Sequence, residues 1–194
     1  MNSVRHGVRY YRGMRKAIIF HGTDETPDTY WYKWLAGKLE ERGYTTEVPA
    51  YPEINHEAIT SFLPKVMANH TFDEDTVLVG HSAGGPLLLS ILENSDVVIP
   101  QAILVAGYSR QQENAKSLDP VLQEVYDWQK IKSHVKDIYF VNSINDPWGC
   151  DDKQGRTMFE HLGGTQIIRD EGHFGSGTFN QPYPTFELLN RLIG

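Results

Sequence analysis

The chain has 194 residues, 40% of them hydrophobic and 22% charged, a composition that suits one globular domain with a full core. Its formal net charge of -7 argues against a polyanion such as nucleic acid as the main partner. The lone cysteine, Cys150, excludes an internal disulfide and a cysteine-based metal site, and no apolar run reaches the ~18–20 residues of a membrane span.

Residues 1–15 are locally basic, with Arg5, Arg9, Arg12 and Arg15, and lack the apolar stretch of a secretory signal. Two readings fit them: a segment upstream of a natural start at Met14, or a disordered tail. Organelle targeting by this segment stays open, and a cytoplasmic location is otherwise expected. A single domain is expected from residue 16 to residue 194.

Lys16-Ala17-Ile18-Ile19-Phe20 reads as a first buried strand, followed by the loop His21-Gly22-Thr23-Asp24. Trp31, Leu35 and Leu39 recur at helical spacing, with Gly43 as the C-cap. Thr45–Val48 reads as a second strand, stopped by Pro49. Ile59, Phe62, Leu63, Val66 and Met67 form a helical stripe interrupted by Pro64. A third strand begins at Thr76, and Leu87, Leu88, Ile91 and Leu92 mark the helix after it. Ala102–Ala106 reads as a fourth strand. Residues 107–134, with Leu118, Leu122, Val125 and Trp128, suggest one or two short helices over the sheet edge. Ile138–Asn142 and Gln166–Ile168 read as further strands, separated by a helix around Met158, Phe159 and Leu162 that ends at Gly163-Gly164. Phe186 to Ile193 reads as a last helix.

Strands alternate with helices, and most strands are continuously apolar. This pattern predicts an α/β three-layer sandwich with a mostly parallel sheet of about six strands. Ligand sites in such sheets lie beyond the C-terminal strand ends. The loops there are 21–30, 80–85, 107–117, 143–151 and 170–182.

One of those loops carries G-x-S-x-G, with Gly80, Ser82 and Gly84 at its fixed positions. A serine on a sharp strand-to-helix turn is lifted clear of the sheet, and small flanking residues let strand and helix approach. The helix after it favours negative charge near the serine, and Pro86 is tolerated in a first turn that needs no N–H from it. The competing reading is an ordinary Gly-rich turn or a phosphate loop, although the lysine of a P-loop is missing.

A serine hydroxyl needs a base, and the base needs an orienting carboxylate. Of eight histidines, His173 alone falls in a strand-end loop without an evident structural role. Asp146, in Asn145-Asp146-Pro147, is the candidate acid, with turn formation as its alternative and Asp151, Asp152 and Asp170 as rivals. Ser82, Asp146 and His173 occur in the chain order of the α/β-hydrolases.

His21-Gly22, Trp31-Tyr32-Lys33-Trp34-Leu35, Gly80-His81-Ser82-Ala83-Gly84, Trp128-Gln129-Lys130-Ile131, Asn145-Asp146-Pro147 and Gly172-His173-Phe174 come in register. Together they resemble the small serine hydrolases of the retinoblastoma-binding-protein-nine type, from about Lys16 to the C-terminus. The resemblance implies a minimal α/β-hydrolase fold that lacks the usual first two strands. It also implies Ser82 as nucleophile, His173 as base and Asp146 as its orienter. Related sequences often carry two aspartates before the proline, whereas Asn145 takes the first place here. The retinoblastoma-protein-binding motif L-x-C-x-E is absent around Cys150, so that partner is not expected.

The N–H groups of Ala83 and Thr23 are the expected oxyanion hole. His21 and His81 are expected to shape the loop and back the elbow, without moving protons. Trp31, Tyr108, Trp148 and Phe174 are candidates to line an acyl pocket, with core packing as the competing reading. The expected activity is cofactor-free and metal-free hydrolysis of small esters, thioesters or amides, with a small acyl compound as substrate. An acyltransferase, or a non-catalytic binding protein on the same scaffold, is the alternative.

Overall fold

The computed structural model describes residues 15–112 and 117–194. Among these residues six strands form one sheet: β1 (Lys16–Phe20), β2 (Thr45–Glu47), β3 (Thr76–His81), β4 (Ile99–Val105), β5 (Val135–Ser143) and β6 (Thr165–Arg169). Their spatial order is β2-β1-β3-β4-β5-β6, and every neighbouring pair is parallel. The continuous apolar runs follow from this arrangement, because parallel strands are covered on both faces. Ile18, Ile19, Leu78, Val79, Ile103 and Leu104 are all fully buried.

Among the described residues six helices cover the sheet: α1 (Tyr32–Glu40), α2 (Ile59–Asn69), α3 (Gly84–Asn94), α4 (Trp128–Ser133), α5 (Asp152–Leu162) and α6 (Glu187–Leu192). Helices α1 and α6 touch each other, while α2, α3, α4 and α5 form a row of neighbours on the other face. Between residues 107 and 134 the described residues contain one helix, α4. It packs between α3 and α5 instead of lying over a sheet edge, because buried Ile131 is its anchor to the core. Helix α2 runs through Pro64, and α5 stops at Gly163, whose φ of 74° lets its N–H reach the Phe159 carbonyl at 2.8 Å.

The basic segment expected at residues 1–15 falls, up to Met14, outside the described residues, as do residues 113–116 of the 107–134 region. Arg15 itself lies against the body. Its guanidinium donates to the Arg42 and Gly194 carbonyls at 2.7 and 3.0 Å and sits over the Tyr44 ring.

The chain leaves β1 toward β2 on one side and returns to β3 on the other. The crevice at the strand ends therefore opens beside β1 and β3, where the order reverses.

Candidate active site

Strand β3 ends at His81 and α3 begins at Gly84, so Ser82 has two residues in which to turn. It does so at a φ of 51°, in the left-handed region that a residue with a Cβ enters only under strain. Its N–H donates to the Val105 carbonyl at 2.9 Å, which ties the turn to β4. Two glycines are required by close approach. A Cβ at Gly80 would stand 2.4 Å from the Gly84 carbonyl oxygen, and a Cβ at Gly84 would stand 2.7 Å from that of Phe20.

Asp146 sits three residues beyond the end of β5, its side chain fully shielded from solvent. One carboxylate oxygen accepts the Trp148 N–H at 2.8 Å, and Oδ2 accepts the Nδ1–H of His173 at 2.7 Å. Asn145 accepts the Gly172 N–H at 2.8 Å, so it fastens the Asp146 turn to the His173 loop and leaves Asp146 as the carboxylate facing the imidazole. Asp151 instead caps α5, accepting from the N–H groups of Lys153 and Gln154, and Asp152 opens that helix. Asp170 is exposed, beside Ile144 and Ile168 in a separate shallow depression.

His173 is 3% exposed, and its N–H donates to the Gln181 side-chain oxygen at 2.9 Å. Burial lowers its pKa below the ordinary histidine value. The Asp146 hydrogen bond opposes this, and the nearby His81 charge reinforces it. The imidazole is therefore held neutral, with Nδ1–H on Asp146 and Nε2 free to accept.

Ser82 and His173 line the same cavity of about 650 Å³, together with Thr23, Glu25, Tyr30, Tyr108, Trp148 and Phe179. Tyr108 and Trp148 stand where the sequence places them as pocket candidates. Trp31 and Phe174 do not. Both are fully buried: the Trp31 indole N–H donates to the Phe174 carbonyl at 3.0 Å, and Phe174 stacks on Phe186 with centroids 5.1 Å apart. Their ring area seals the His173 loop against α1 and the segment leading into α6. Tyr30 and Phe179 join the lining without a motif to single them out. The sequence signal for Phe179 is its position, five residues after Phe174, as the second aromatic of a Gly/Ser/Thr-rich strand-end loop.

Thr23 lines the cavity and Ala83 sits buried at the start of α3. No backbone acceptor among the described residues takes the N–H of either residue. Gly22 lies against the turn, since a Cβ there would be 3.0 Å from the Ser82 Cβ.

His21 accepts the Tyr51 N–H on Nε2 at 2.9 Å, so its Nδ1 carries the proton and donates to the Gly22 carbonyl at 2.7 Å. Burial lowers its pKa and keeps it neutral. It shapes the loop, as the sequence suggests. His81 has a second neighbourhood that sequence reasoning missed. Its Nε2–H donates to the His173 carbonyl at 2.7 Å, while Nδ1 faces the Tyr32 hydroxyl and lies 3.3 Å from a Glu25 oxygen.

Among the described residues, donor atoms of Asp146, Cys150 and His173 lie within 4.8 Å of one another, a metal-like grouping. The donors do not suit a resident cation. Asp146 and His173 Nδ1 are bonded to each other, and burial raises the Cys150 pKa, which keeps the thiol protonated.

The chain matches the serine hydrolase family model over residues 17–191. It is 27% identical to the Bacillus subtilis protein YdeN over 168 residues, covering 81% of this chain and 88% of that one. It is 25% identical to the rat serine hydrolase RBBP9 over 175 residues, covering 86% of this chain and 90% of that one. The crystal structure of the B. subtilis ydeN gene product superposes with a TM-score of 0.83 at 22% identity, over 92% of this chain and 96% of that one. The RBBP9 match agrees with the resemblance carried by the sequence motifs, and the superposition places the fold among the α/β-hydrolases. On the extent of the family match, this chain belongs to the serine hydrolase family.

Proposed function

We propose that the chain is a carboxylesterase-like hydrolase of small esters, thioesters or amides, working through a Ser82–His173–Asp146 triad and an acyl-enzyme. The observation that carries this reading is the 2.7 Å bond between His173 Nδ1 and Asp146 Oδ2 in a cavity that Ser82 also lines. With Nδ1–H committed to Asp146, Nε2 is the basic nitrogen.

Ser82 Oγ attacks the acyl carbonyl carbon and its proton passes to His173 Nε2. The carbonyl oxygen becomes an oxyanion facing the N–H groups of Ala83 and Thr23. Collapse breaks the bond to the leaving group, which takes the proton from Nε2. Water then attacks the acyl-enzyme, giving its proton to Nε2, and that proton returns to Ser82 Oγ as the acid departs. Asp146 holds the tautomer and stabilises the imidazolium.

The cavity volume falls in the range of small-molecule sites, which favours a compact soluble acyl compound. Residues 16–194 serve as one catalytic domain in this reading, needing neither cofactor nor metal, with no nucleic-acid partner. Among the described residues no helix is long and apolar enough to cross a membrane. A cytoplasmic location completes the proposal.

The test is labelling by a fluorophosphonate probe, followed by a panel of acyl esters of rising chain length. Labelling abolished by Ser82→Ala, with turnover of short esters, supports the reading. A wild-type protein that is not labelled would mark a binding protein on this scaffold. Acyl transfer to added alcohols in excess of hydrolysis would mark an acyltransferase.

A further inference from the structure

Glu25, Tyr32 and His81 form a buried ionisable cluster that the proposed mechanism does not use. Its members come from the β1 loop, the first turn of α1 and the last residue of β3. The Glu25 carboxylate accepts the Gly22 N–H at 2.7 Å and the Tyr32 hydroxyl proton. The Tyr32 oxygen is then left to accept from His81 Nδ1, which also lies 3.3 Å from the Glu25 carboxylate. On its far side His81 donates Nε2–H to the His173 carbonyl. A ring that donates from both nitrogens is an imidazolium, and both side chains of the pair are well shielded, His81 completely.

A buried ion pair is seldom a net source of stability, so its retention asks for another reason. Here the pair joins two loops that must hold register. Through Gly22 it braces the loop carrying the Thr23 N–H, and through His81 it braces the backbone of His173. The His81 and His173 rings are 4.9 Å apart, so a charge on one is felt by the other.

We propose that Glu25, Tyr32 and His81 form a buried ionic bracket whose members are positioning residues. The bracket fixes the His173 loop and, by keeping a positive charge on His81, keeps His173 free of a proton and able to act as base. This inference rests on the serine-hydrolase reading above.

The charge balance supports it. Burial would strip His81 of its proton, but the Glu25 charge, the Glu25 hydrogen bond and the His173 carbonyl outweigh that and raise its pKa. Burial likewise opposes the Glu25 charge, and His81, the Tyr32 hydroxyl and the Gly22 N–H together outweigh it, so the Glu25 pKa is lowered. The groups facing His81 are Glu25, Tyr32, Tyr30, His21, His173 and Asp146. Those facing His173 are Asp146, His81 and Glu25, with the Cys150 thiol nearby. At His173 the lowering by His81 exceeds the raising by Glu25. Neutralising both together therefore raises the His173 pKa.

The experiment combines histidine ¹⁵N NMR titration with the pH profile of kcat/KM on an activated ester, for wild type, Glu25→Gln and Tyr32→Phe. In wild type, His81 should remain doubly protonated at a pH where His173 is neutral. Glu25→Gln keeps the shape and removes the counter-charge, so His81 should lose a proton. The His173 midpoint and the acid limb of kcat/KM should then move up together, by less than the ~1 pH unit that a lone charge a few ångströms away would give, because the loss of the Glu25 charge offsets part of the loss of the His81 charge. Tyr32→Phe should move both in the same direction by less, and it serves if Glu25→Gln does not fold. Midpoints unmoved in the folded variants, or a neutral wild-type His81, would overturn the bracket. NMR shifts of the expected sign in a protein that turns over no ester would retain the electrostatic linkage and sink the hydrolase reading instead.

Discussion

Asp146 Oδ2 accepts the Nδ1–H of His173 at 2.7 Å, between a side chain fully shielded from solvent and one 4% exposed. The two residues sit on loops after different strands. Asn145 closes the same gap through the backbone of Gly172. Under the proposed mechanism, Asp146→Asn preserves the shape and can leave the wrong imidazole tautomer, costing ~10⁴ in kcat/KM, as in well-studied triads. Asp170→Asn and Asp151→Asn should stay near wild type, because neither side chain reaches His173. Steady-state kinetics on one activated ester, with circular dichroism as the folding check, decides it. A crippled Asp170→Asn would move the acid to another loop.

Ser82 holds a φ of 51° for the sake of its side-chain direction. Ser82→Ala should abolish fluorophosphonate labelling while leaving Tm near wild type, since the strained backbone is retained. Ser82→Gly should be as inactive but melt above Ser82→Ala, because glycine enters this region without the Cβ penalty. A melting point for Ser82→Gly at or below that of Ser82→Ala would argue against strain at the turn.

The neutral form of His173 is the working base. Burial holds its pKa below the ordinary 6.5, so the base is fully available above that value and is lost as pH falls through the lowered one. The acid limb of kcat/KM should therefore have its midpoint below pH 6.5 in wild type. A midpoint well above 6.5, measured with an ester whose leaving group does not titrate there, would contradict the burial-dominated environment.

Two glycines predict opposite stability effects. A Cβ at Gly84 meets the Phe20 carbonyl oxygen at 2.7 Å, backbone against backbone, so Gly84→Ala should destabilise by ~1–3 kcal/mol. Gly37, inside α1, has nothing within 4 Å of an added Cβ, so Gly37→Ala should stabilise by ~0.4–1 kcal/mol. Urea unfolding of both variants tests the pair, and equal effects would mean that the tight approach of α3 to β1 is not real.

Two tryptophans separate the rim from the core. Trp148 is 45% exposed at the cavity mouth, where its ring meets Phe179 edge-on at 5.1 Å. Trp148→Ala should raise KM for bulky esters and cost ~1 kcal/mol of stability, through the Phe179 edge contact and the indole N–H bond to Ser176. Trp31, fully buried against Tyr32, His81 and Phe186, should cost ~3–5 kcal/mol on conversion to Ala. Thermal melts and the ester panel read both outcomes.

The sequence by itself carried the local rules. Continuous apolar runs alternating with helical stripes determined a parallel sheet with covered faces. Gly80, Ser82 and Gly84 determined a sharp turn after the third strand, because only that spacing lets α3 approach β1 and β3. The strand-end filter pointed to loops that put Ser82 and His173 on one cavity with Asp146 bonded behind His173, since parallel strands place all their C-terminal ends on one side. Which aromatic rings face the cavity was decided only by tertiary structure. Trp31 and Tyr108 are both large and apolar, but the former is spent sealing the His173 loop and the latter lines the void. The tertiary structure also decided the place of α4, because a six-residue stripe does not say which neighbours it meets. The Glu25–Tyr32–His81 bracket is the clearest case. Its members are separated by 7 to 56 residues, and nothing in their spacing joins them. They meet because β1 and β3 are adjacent and α1 folds back over them, and a buried charge placed there must find its partner across the sheet end.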